Sequence, residues 1–538
     1  MRVSALEGRA TAVWGYGREG RAALRALLSV LEAAGAARSP SPSVGTTPTA
    51  HESRPSGGSA VDPRLRGDDE FQVGVTLIQR AVGAATAPRP ALICSADEAE
   101  AARAEFGDRI DLHVGEPSLD LLRRFDWIVK SPGISPYRGV AAEALQAGVR
   151  FTSGTALWFG EHQACDPQVP TLCITASKGK STTTALVAHL LRASGRRVAL
   201  AGNIGLPLLE LLLPETTAAG SVDVAALATP AVDAYVIELS SYQTGDAIAP
   251  DVAMLLNLYP EHLDWHGSEA RYYDDKCALI EGVGAKQVVL NAENPTLVQR
   301  FGARADAIWF GTPQGWHFDA ASGGILRGSE RVFEAAELPL PGAHNARNLC
   351  AALAAIEALG IDARPLAEAA RSFRALPHRL QPLGERAGRL YVNDSISTTP
   401  HASLAALAHY RGRRAAILVG GHDRGLDWSE FVTAMRSDAP AVIVCMGANG
   451  PRIAQALRAS GSSGFELIEA ADLPTAVAAA EAALDARASS DDRGVLLLSP
   501  GAPSFGEFRD YAERGRRFAA LTGFDAQTLG QIEGLGIR

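Results

Sequence analysis

The chain is short of cysteine, of aromatic residues and of surplus positive charge, and each shortage narrows what it can be. Six cysteines are spread over 538 residues, at positions 94, 165, 173, 277, 350 and 445, with no Cys-x-x-Cys pair among them. That spacing offers neither a disulfide framework nor a zinc ribbon, and several of these thiols sit in apolar strand or helix patterns, as reduced buried cysteines do. With 60 acidic against 51 basic residues the formal charge is −9, so the dense basic face needed for non-specific nucleic-acid binding is missing. No run of about 18 uncharged apolar residues occurs, which argues against a spanning helix. The first residues lack a charged head followed by an apolar core, so no secretory signal is read there. A cytoplasmic protein, without nucleic-acid or membrane partners, is the expectation. What is present is a globular composition, 47% apolar and 21% charged, on a chain long enough for about three domains.

The stretch from Leu172 to Thr184, Leu-Cys-Ile-Thr-Ala-Ser-Lys-Gly-Lys-Ser-Thr-Thr-Thr, organises the rest. Its spacing predicts a short apolar strand, Pro170 to Ile174, a polar loop and a helix from Ser181 to Ala193. The loop ends in Gly179-Lys180-Ser181, the last three letters of a phosphate-binding loop. Such a loop turns backbone N–H groups around phosphate oxygens and adds the positive end of the following helix. Lys180 would reach the outer phosphates and the Ser181 hydroxyl would hold Mg²⁺. The usual first glycine would fall at Ile174, and an ordinary strand–loop–helix junction can carry the same three letters, so the neighbouring motifs have to decide.

Upstream, an apolar strand, Ala10 to Trp14, leads into Gly15-Tyr16-Gly17-Arg18-Glu-Gly20 and a helix through about Ala34. This is a glycine fingerprint in strand–turn–helix context, read either as a diphosphate grip or as a tight turn. Residues 37–70 are rich in Ser, Pro, Gly and Thr and nearly free of large apolar side chains, so they are expected to be a disordered insertion. Strands are expected at Pro90 to Ser95 and Trp127 to Lys130, the second leading into Ser131-Pro-Gly133, with a first domain boundary near 150. The middle region continues with Val198 to Ala201, Gly202-Asn203-Ile-Gly205, a Leu-rich helix, and Ala234 to Ile237 ending in Glu238-Leu-Ser240-Ser241-Tyr-Gln243. An acidic residue at a strand's carboxyl end beside a phosphate loop suits a Mg²⁺-coupled carboxylate. Val252 to Leu256 follows, then Asn257-Leu-Tyr-Pro-Glu261-His262-Leu-Asp264-Trp-His266, whose acids and histidines read as metal ligands, acid–base groups or a solvated turn. Lys276 lies on the next helix and taken alone is a surface lysine. Residues 285–340 read as short strands and turns, and a helix from His344 to Leu359 carries Asn345 and Asn348 on one face.

After a second boundary near 377, strands at Arg389 to Asn393, Ala415 to Val419, Ala441 to Met446, Phe465 to Ile468 and Gly494 to Leu498 alternate with helical patterns. That alternation predicts a mostly parallel sheet. Polar loops at three strand ends, with Asp394, Thr398, Arg424 and Ser504, fall where open α/β sheets bind ligands. Ser504-x-x-Glu507 also reads as a capping box.

In this order the motifs resemble the Mur ligases, the ATP-dependent amide ligases of peptidoglycan precursor synthesis. The resemblance rests on Thr175-Ala-Ser-Lys-Gly-Lys-Ser-Thr-Thr, Gly202-Asn-Ile-Gly, Glu238-Leu-Ser-Ser-Tyr-Gln, Asn257 to Asp264, Tyr273-Asp-Asp-Lys276, His344 to Asn348, Leu376-Pro-His-Arg379, Asn393-Asp-Ser395 and Leu498-Ser-Pro-Gly-Ala-Pro-Ser504. It implies an α/β fold of three domains: a Rossmann-like UDP-binding domain (1–150), a central ATPase-type domain (151–376) and a Rossmann-like C-terminal domain (377–538). It implies ATP on Ser177, Lys178, Gly179, Lys180, Ser181, Thr182, Asn345, Asn348, Arg379 and Asp394. It implies one Mg²⁺ on Ser181 and Glu238 and a second on His262 and a carbamylated Lys276, with Lys180, Glu238, His262 and Lys276 catalytic. The UDP-sugar would meet Gly15, Tyr16, Gly17, Arg18, Ser131, Asn203 and Ser240, and glutamate would meet Thr398, Arg424 and Ser504.

Within the family the two ends of the chain look most like the branch joining glutamate to UDP-N-acetylmuramoyl-L-alanine. Departures stand at Ala176, where the family has glycine, at Lys178, at Ile396 and at Arg424, where a lysine is usual. A positive φ at Ala176 would cost about 1 kcal/mol. The changes around the amino-acid pocket resemble the branch that adds L-glutamate and leaves inversion to a separate epimerase, with D-glutamate the alternative; a monomer is expected. A nicotinamide-dependent oxidoreductase is the more distant rival, and it leaves the second and third domains unexplained.

Overall fold

The computed structural model describes residues 1–38, 88–213, 232–340, 342–374, 376–423, 425–488, 494–527 and 536–537. All but the first two residues of the insertion expected at 37–70 lie outside these, as does Arg424. The chain divides into two compact units, Met1–His162 with Leu212–Leu227, and Gln163–Leu211 with Ala228–Arg538.

The first unit holds a five-stranded, wholly parallel sheet in the order Asp111–Val114, Ala91–Cys94, Thr11–Trp14, Trp127–Lys130, Phe151–Thr152. Strand order therefore reverses between Thr11–Trp14 and Trp127–Lys130, the crevice where a Rossmann-like sheet binds its ligand. The glycine turn and Ser131 follow those two strands. Asp111–Val114 escapes the sequence reading because this edge strand is half-exposed and alternates polar with apolar residues.

In the second unit the strand Thr171–Thr175, buried at every position, lies inside a seven-stranded sheet. It is flanked by Val252–Leu255 on one side and Ala234–Glu238 on the other, both parallel. Being buried on both faces, these strands read as continuous apolar runs. The helices Lys180–Ala193 and Ala343–Ala358 share one apolar core with this sheet, through Leu186, Leu190, Leu349 and Leu353 against Leu172, Ile174 and Val236. At the sheet's edge Gly536–Ile537 pairs antiparallel with Val198–Gly202. The Leu-rich helix expected after Gly205 is instead a 3-10 turn, Leu208–Leu212. Pro214 has no amide to carry a helix on, and the proline biases Leu213 before it away from the helical region. Residues 316–334 form a separate three-stranded antiparallel sheet, and a helix, Pro295–Phe301, stands where only strands and turns were read.

The remaining sheet has six strands in the order Gln381–Arg386, Arg389–Asn393, Val495–Leu498, Ala415–Val419, Val442–Met446, Glu466–Ala470. Only the first is antiparallel. The expected α/β class and mostly parallel C-terminal sheet are thus observed.

Candidate active site

The strand Thr171–Thr175 runs into a four-residue loop, and the following helix begins at Lys180. Gly179 has φ +84°, and a Cβ there would lie 2.7 Å from Asn348 Oδ1, so both backbone and neighbour demand glycine. Ala176 is buried and is not among the residues with positive φ, so its methyl carries no strain. The loop is stitched to the segment after Val252–Leu255. The Ser177 and Lys178 amides donate to the Asn257 carbonyl (3.1 Å) and to Asn257 Oδ1 (2.9 Å), and Asn257 Nδ2 donates to the Lys178 carbonyl (2.9 Å). Ser177 Oγ donates to the Tyr259 carbonyl at 2.9 Å, and the Tyr272 hydroxyl lies 2.6 Å away. A serine has one hydroxyl hydrogen, so Tyr272 is the donor in that contact. Lys178 pairs with Glu261.

Around this loop stand the charged groups singled out from the sequence. Lys180 Nζ donates to the Ser177 carbonyl at 3.2 Å. Burial holds its ammonium below the ordinary lysine range, against the attraction of Glu238 and Glu261. Glu238 closes its strand at 1% exposure; Oε1 accepts from Asn203 Nδ2 at 2.6 Å, while Oε2 is buried with no donor. Lys276, also 1% exposed, reaches only to 3.5 Å from Thr175 Oγ1 and lies 5.2 Å from the Tyr272 ring centre. Burial, reinforced by repulsion from Lys180, pushes its ammonium well below the usual lysine range. His262 is exposed, with φ +53°, and its ring lies 5.5 Å from that of Tyr242. Arg379 Nη2 donates to Ser181 Oγ at 3.4 Å, and its Nε is buried without an acceptor. Asn348 Nδ2 donates to Asn345 Oδ1 at 3.2 Å. Thr182 is half-buried on the first helical turn. Asp394 is enclosed by its own chain: Leu380 N (3.0 Å), Ser397 Oγ (2.5 Å) and Ser499 Oγ (2.7 Å) donate to it, and burial raises its pKa. Thr175 and Tyr272 were not singled out from the sequence; Tyr272 stands four residues before Lys276, on the same helix face, which is the signal that could have found it.

The residues read as UDP contacts fall in both units. In the first, Gly15 has φ +95° and a Cβ there would lie 2.8 Å from Ser131 Oγ, while a Cβ on Gly20 would fall 1.9 Å from the Gly15 carbonyl oxygen. Ser131 Oγ donates to that carbonyl at 3.2 Å. The Tyr16 hydroxyl donates to Glu105 at 2.8 Å and its ring is buried, whereas Gly17 and Arg18 are exposed. In the second unit Asn203 bonds Glu238, and Ser240 Oγ donates to Gln243 Oε1 at 2.7 Å.

Of the residues read as glutamate contacts, Thr398 is half-buried, and Ser504 is buried at the wall of a cavity of about 810 Å³ shared with Gly421, His422, Gly447 and Arg514. The capping box read at Ser504 is absent, because the helix starts at Tyr511 and is capped by Asp510, which accepts from the Glu513 amide.

Among the described residues no group of three His, Cys, Asp or Glu side chains forms a ready cation cage. Mg²⁺ does not need one, since it keeps waters and takes one or two carboxylates plus substrate phosphates. The donorless Glu238 Oε2, near a helix start carrying the Ser181 hydroxyl, suits such a cation.

The Mur ligase middle domain family matches residues 174–356, and the Mur ligase glutamate ligase domain family matches 378–500. The chain is 47% identical, over the full length of both, to a UDP-N-acetylmuramoyl-L-alanine–L-glutamate ligase of Xanthomonas campestris pv. campestris. It is 45% identical, again over the full length of both, to one of Xylella fastidiosa. A Salinispora tropica relative with the same name is 35% identical over 96% of this chain and 98% of its own. Among solved structures, the UDP-N-acetylmuramate–alanine ligase of Thermotoga maritima covers 80% of this chain and 92% of its own length, with 19% identity and a TM-score of 0.49. With two domain families spanning more than half its length and relatives of this identity, the chain belongs to the Mur ligase family.

Proposed function

We propose that this chain is an ATP-dependent amide ligase that joins L-glutamate to UDP-N-acetylmuramoyl-L-alanine in peptidoglycan precursor synthesis. The substrates come from the full-length relatives at 47% identity. The observation that carries the reading is a glycine-specific phosphate loop whose Lys180 shares its surroundings with a buried carboxylate, Glu238, and a buried lysine, Lys276. Two anionic reactants must approach each other, and fixed cations aimed at the transferred phosphoryl group are what such chemistry requires. Lys180 and the loop amides hold the outer phosphates of ATP, and Asn345, Asn348 and Arg379 serve its remaining parts. Ser181 with Glu238, and His262 with Lys276, would each hold a Mg²⁺, which would supply charge neutralisation. The alanyl carboxylate takes the outer phosphoryl group of ATP to become an acyl phosphate, with ADP as the leaving group, and the glutamate amine then displaces phosphate and loses a proton to leave the amide.

Lys276 serves as a metal ligand only once its charge is reversed. Burial makes the Lys276 ammonium give up its proton more readily than an ordinary lysine, and the free amine can add CO₂, losing a proton to become a carbamate. The proposal includes three domains with boundaries near 150 and 376, a cytoplasmic monomer, and a separate epimerase acting on the product. Among the described residues no helix is long and apolar enough to cross a membrane.

The test is phosphate release with UDP-N-acetylmuramoyl-L-alanine, ATP, Mg²⁺ and each glutamate enantiomer. Turnover with the L form is expected; turnover with the D form alone would reassign the amino acid, and none with either would refute the reading.

A further inference from the structure

The ligation chemistry leaves one buried polar cluster without a task. Ser241 Oγ lies 3.0 Å from His266 Nε2, and His266 Nδ1 lies 2.6 Å from Asp275 Oδ2. Serine, histidine and aspartate in this order make the nucleophilic triad of hydrolases. Here that use fails on access, because His266 is fully buried and Ser241 is 5% exposed. Tyr242, Trp265 and Tyr272 pack around the imidazole at centroid distances of 5.6, 4.5 and 5.1 Å.

The cluster's position in the chain gives it another use. Ser241 lies three residues after Glu238, in the loop leaving that strand, and Asp275 immediately precedes Lys276 on the helix Glu269–Glu281. We infer that Ser241, His266 and Asp275 form a positioning chain that sets the aim of Lys276 relative to Glu238. An ionised carboxylate only accepts, so Nδ1 carries the imidazole hydrogen and Nε2 accepts from the Ser241 hydroxyl. The Thr244 hydroxyl adds a second tie, donating to the Asp275 carbonyl. Successive helix residues point about 100° apart. A tether at Asp275 therefore fixes the rotation that carries Lys276 Nζ to its place 3.5 Å from Thr175 Oγ1. Errors of about 1 Å in such placement cost on the order of a hundredfold in rate.

The inference rests on the roles proposed above for Glu238 and Lys276, so Lys276→Ala is assayed beside Ser241→Ala, Ser241→Thr, Asp275→Asn and the double variant Ser241→Ala/Asp275→Asn, each with its melting temperature. Ser241→Ala is expected to lower kcat about tenfold and raise the half-saturating Mg²⁺ concentration, leaving KM for ATP and for the UDP-sugar within about twofold. Ser241→Thr, which keeps the hydroxyl, restores most of kcat, and the double variant is no worse than its worse single member, as for residues acting in one chain. Independent, additive losses, unchanged kcat in Ser241→Ala, or a lowered melting temperature with kcat intact would each overturn the positioning role. If Lys276→Ala keeps wild-type turnover, the role of Lys276 falls and this inference with it. If Lys276→Ala is inactive and Ser241→Ala keeps wild-type kcat, this inference alone falls.

Discussion

At the scale of single residues, Lys276 and His378 are each changed by the low-dielectric space they occupy. Lys276→Ala is expected to cut phosphate release by a hundredfold or more, and added formate or acetate to restore part of it by standing in for the carbamate. Failure of short carboxylates to rescue would weigh against the carbamate. His378 is buried, accepts from Asn393 Nδ2 at 2.9 Å through Nδ1, and is pushed down to about 4 by burial and by repulsion from Arg516. Its native ring is therefore neutral across pH 4 to 6.5, whereas in the unfolded chain it takes up a proton as pH falls below about 6.5. This contribution to stability is complete above pH 6.5 and shrinks as pH falls toward 4, by at most about 3 kcal/mol. Urea unfolding midpoints should fall between pH 7 and 4.5 in the wild type, and fall less in His378→Gln.

At the scale of elements, three glycines make separable predictions. Gly179→Ala places a methyl 2.7 Å from Asn348 Oδ1 at a left-handed residue, and is expected to raise KM for ATP about tenfold or more. Gly20→Ala drives a Cβ to 1.9 Å from the Gly15 carbonyl and should lower the melting temperature of the first unit. Nothing lies within 4 Å of a Cβ on Gly17, so Gly17→Ala should keep the melting temperature. If the turn grips the UDP diphosphate, that same variant raises KM for the UDP-sugar, since the added methyl meets only the ligand. Kinetics and melting curves on the three variants separate fold from binding.

For the whole molecule, the second unit carries both the phosphate loop and the C-terminal sheet, and Arg379 Nη2 bonds Ser181 Oγ. Ligand binding should therefore register in its unfolding as a unit. ADP with Mg²⁺ at a hundred times its Kd is expected to stabilise the folded state by about 2.7 kcal/mol. Thermal shift measures this, and Lys180→Ala should lose most of the gain along with phosphate release. A full shift in Lys180→Ala would remove that lysine from nucleotide binding.

Much of this architecture follows from local pattern. Buried parallel strands must be apolar on both faces, so Thr171–Thr175, Ala234–Glu238 and Ala415–Val419 appear as short apolar runs within a residue or so of their ends. Gly179-Lys180-Ser181 and the acidic Glu238 are legible for a related reason: the phosphate and cation chemistry proposed for them restricts which residues stand at strand ends. Edge strands such as Asp111–Val114 and Gln381–Arg386 are half-exposed and lose that signature. The Ser504 capping box failed because four residues can fit a cap without a helix following them. Only the packed chain decides that Asp394 is enclosed by Ser397 and Ser499, that the Tyr16 hydroxyl turns to Glu105, and that Ser241 meets Asp275 through His266. Most of these partners stand many residues apart, and their meeting depends on how strands order and helices rotate, which no local spacing encodes. The linear chain specifies which chemical groups are on hand and which elements carry them; tertiary packing sets their distances, and so which lysine ammonium burial disfavours and which carboxylate oxygen is left without a donor.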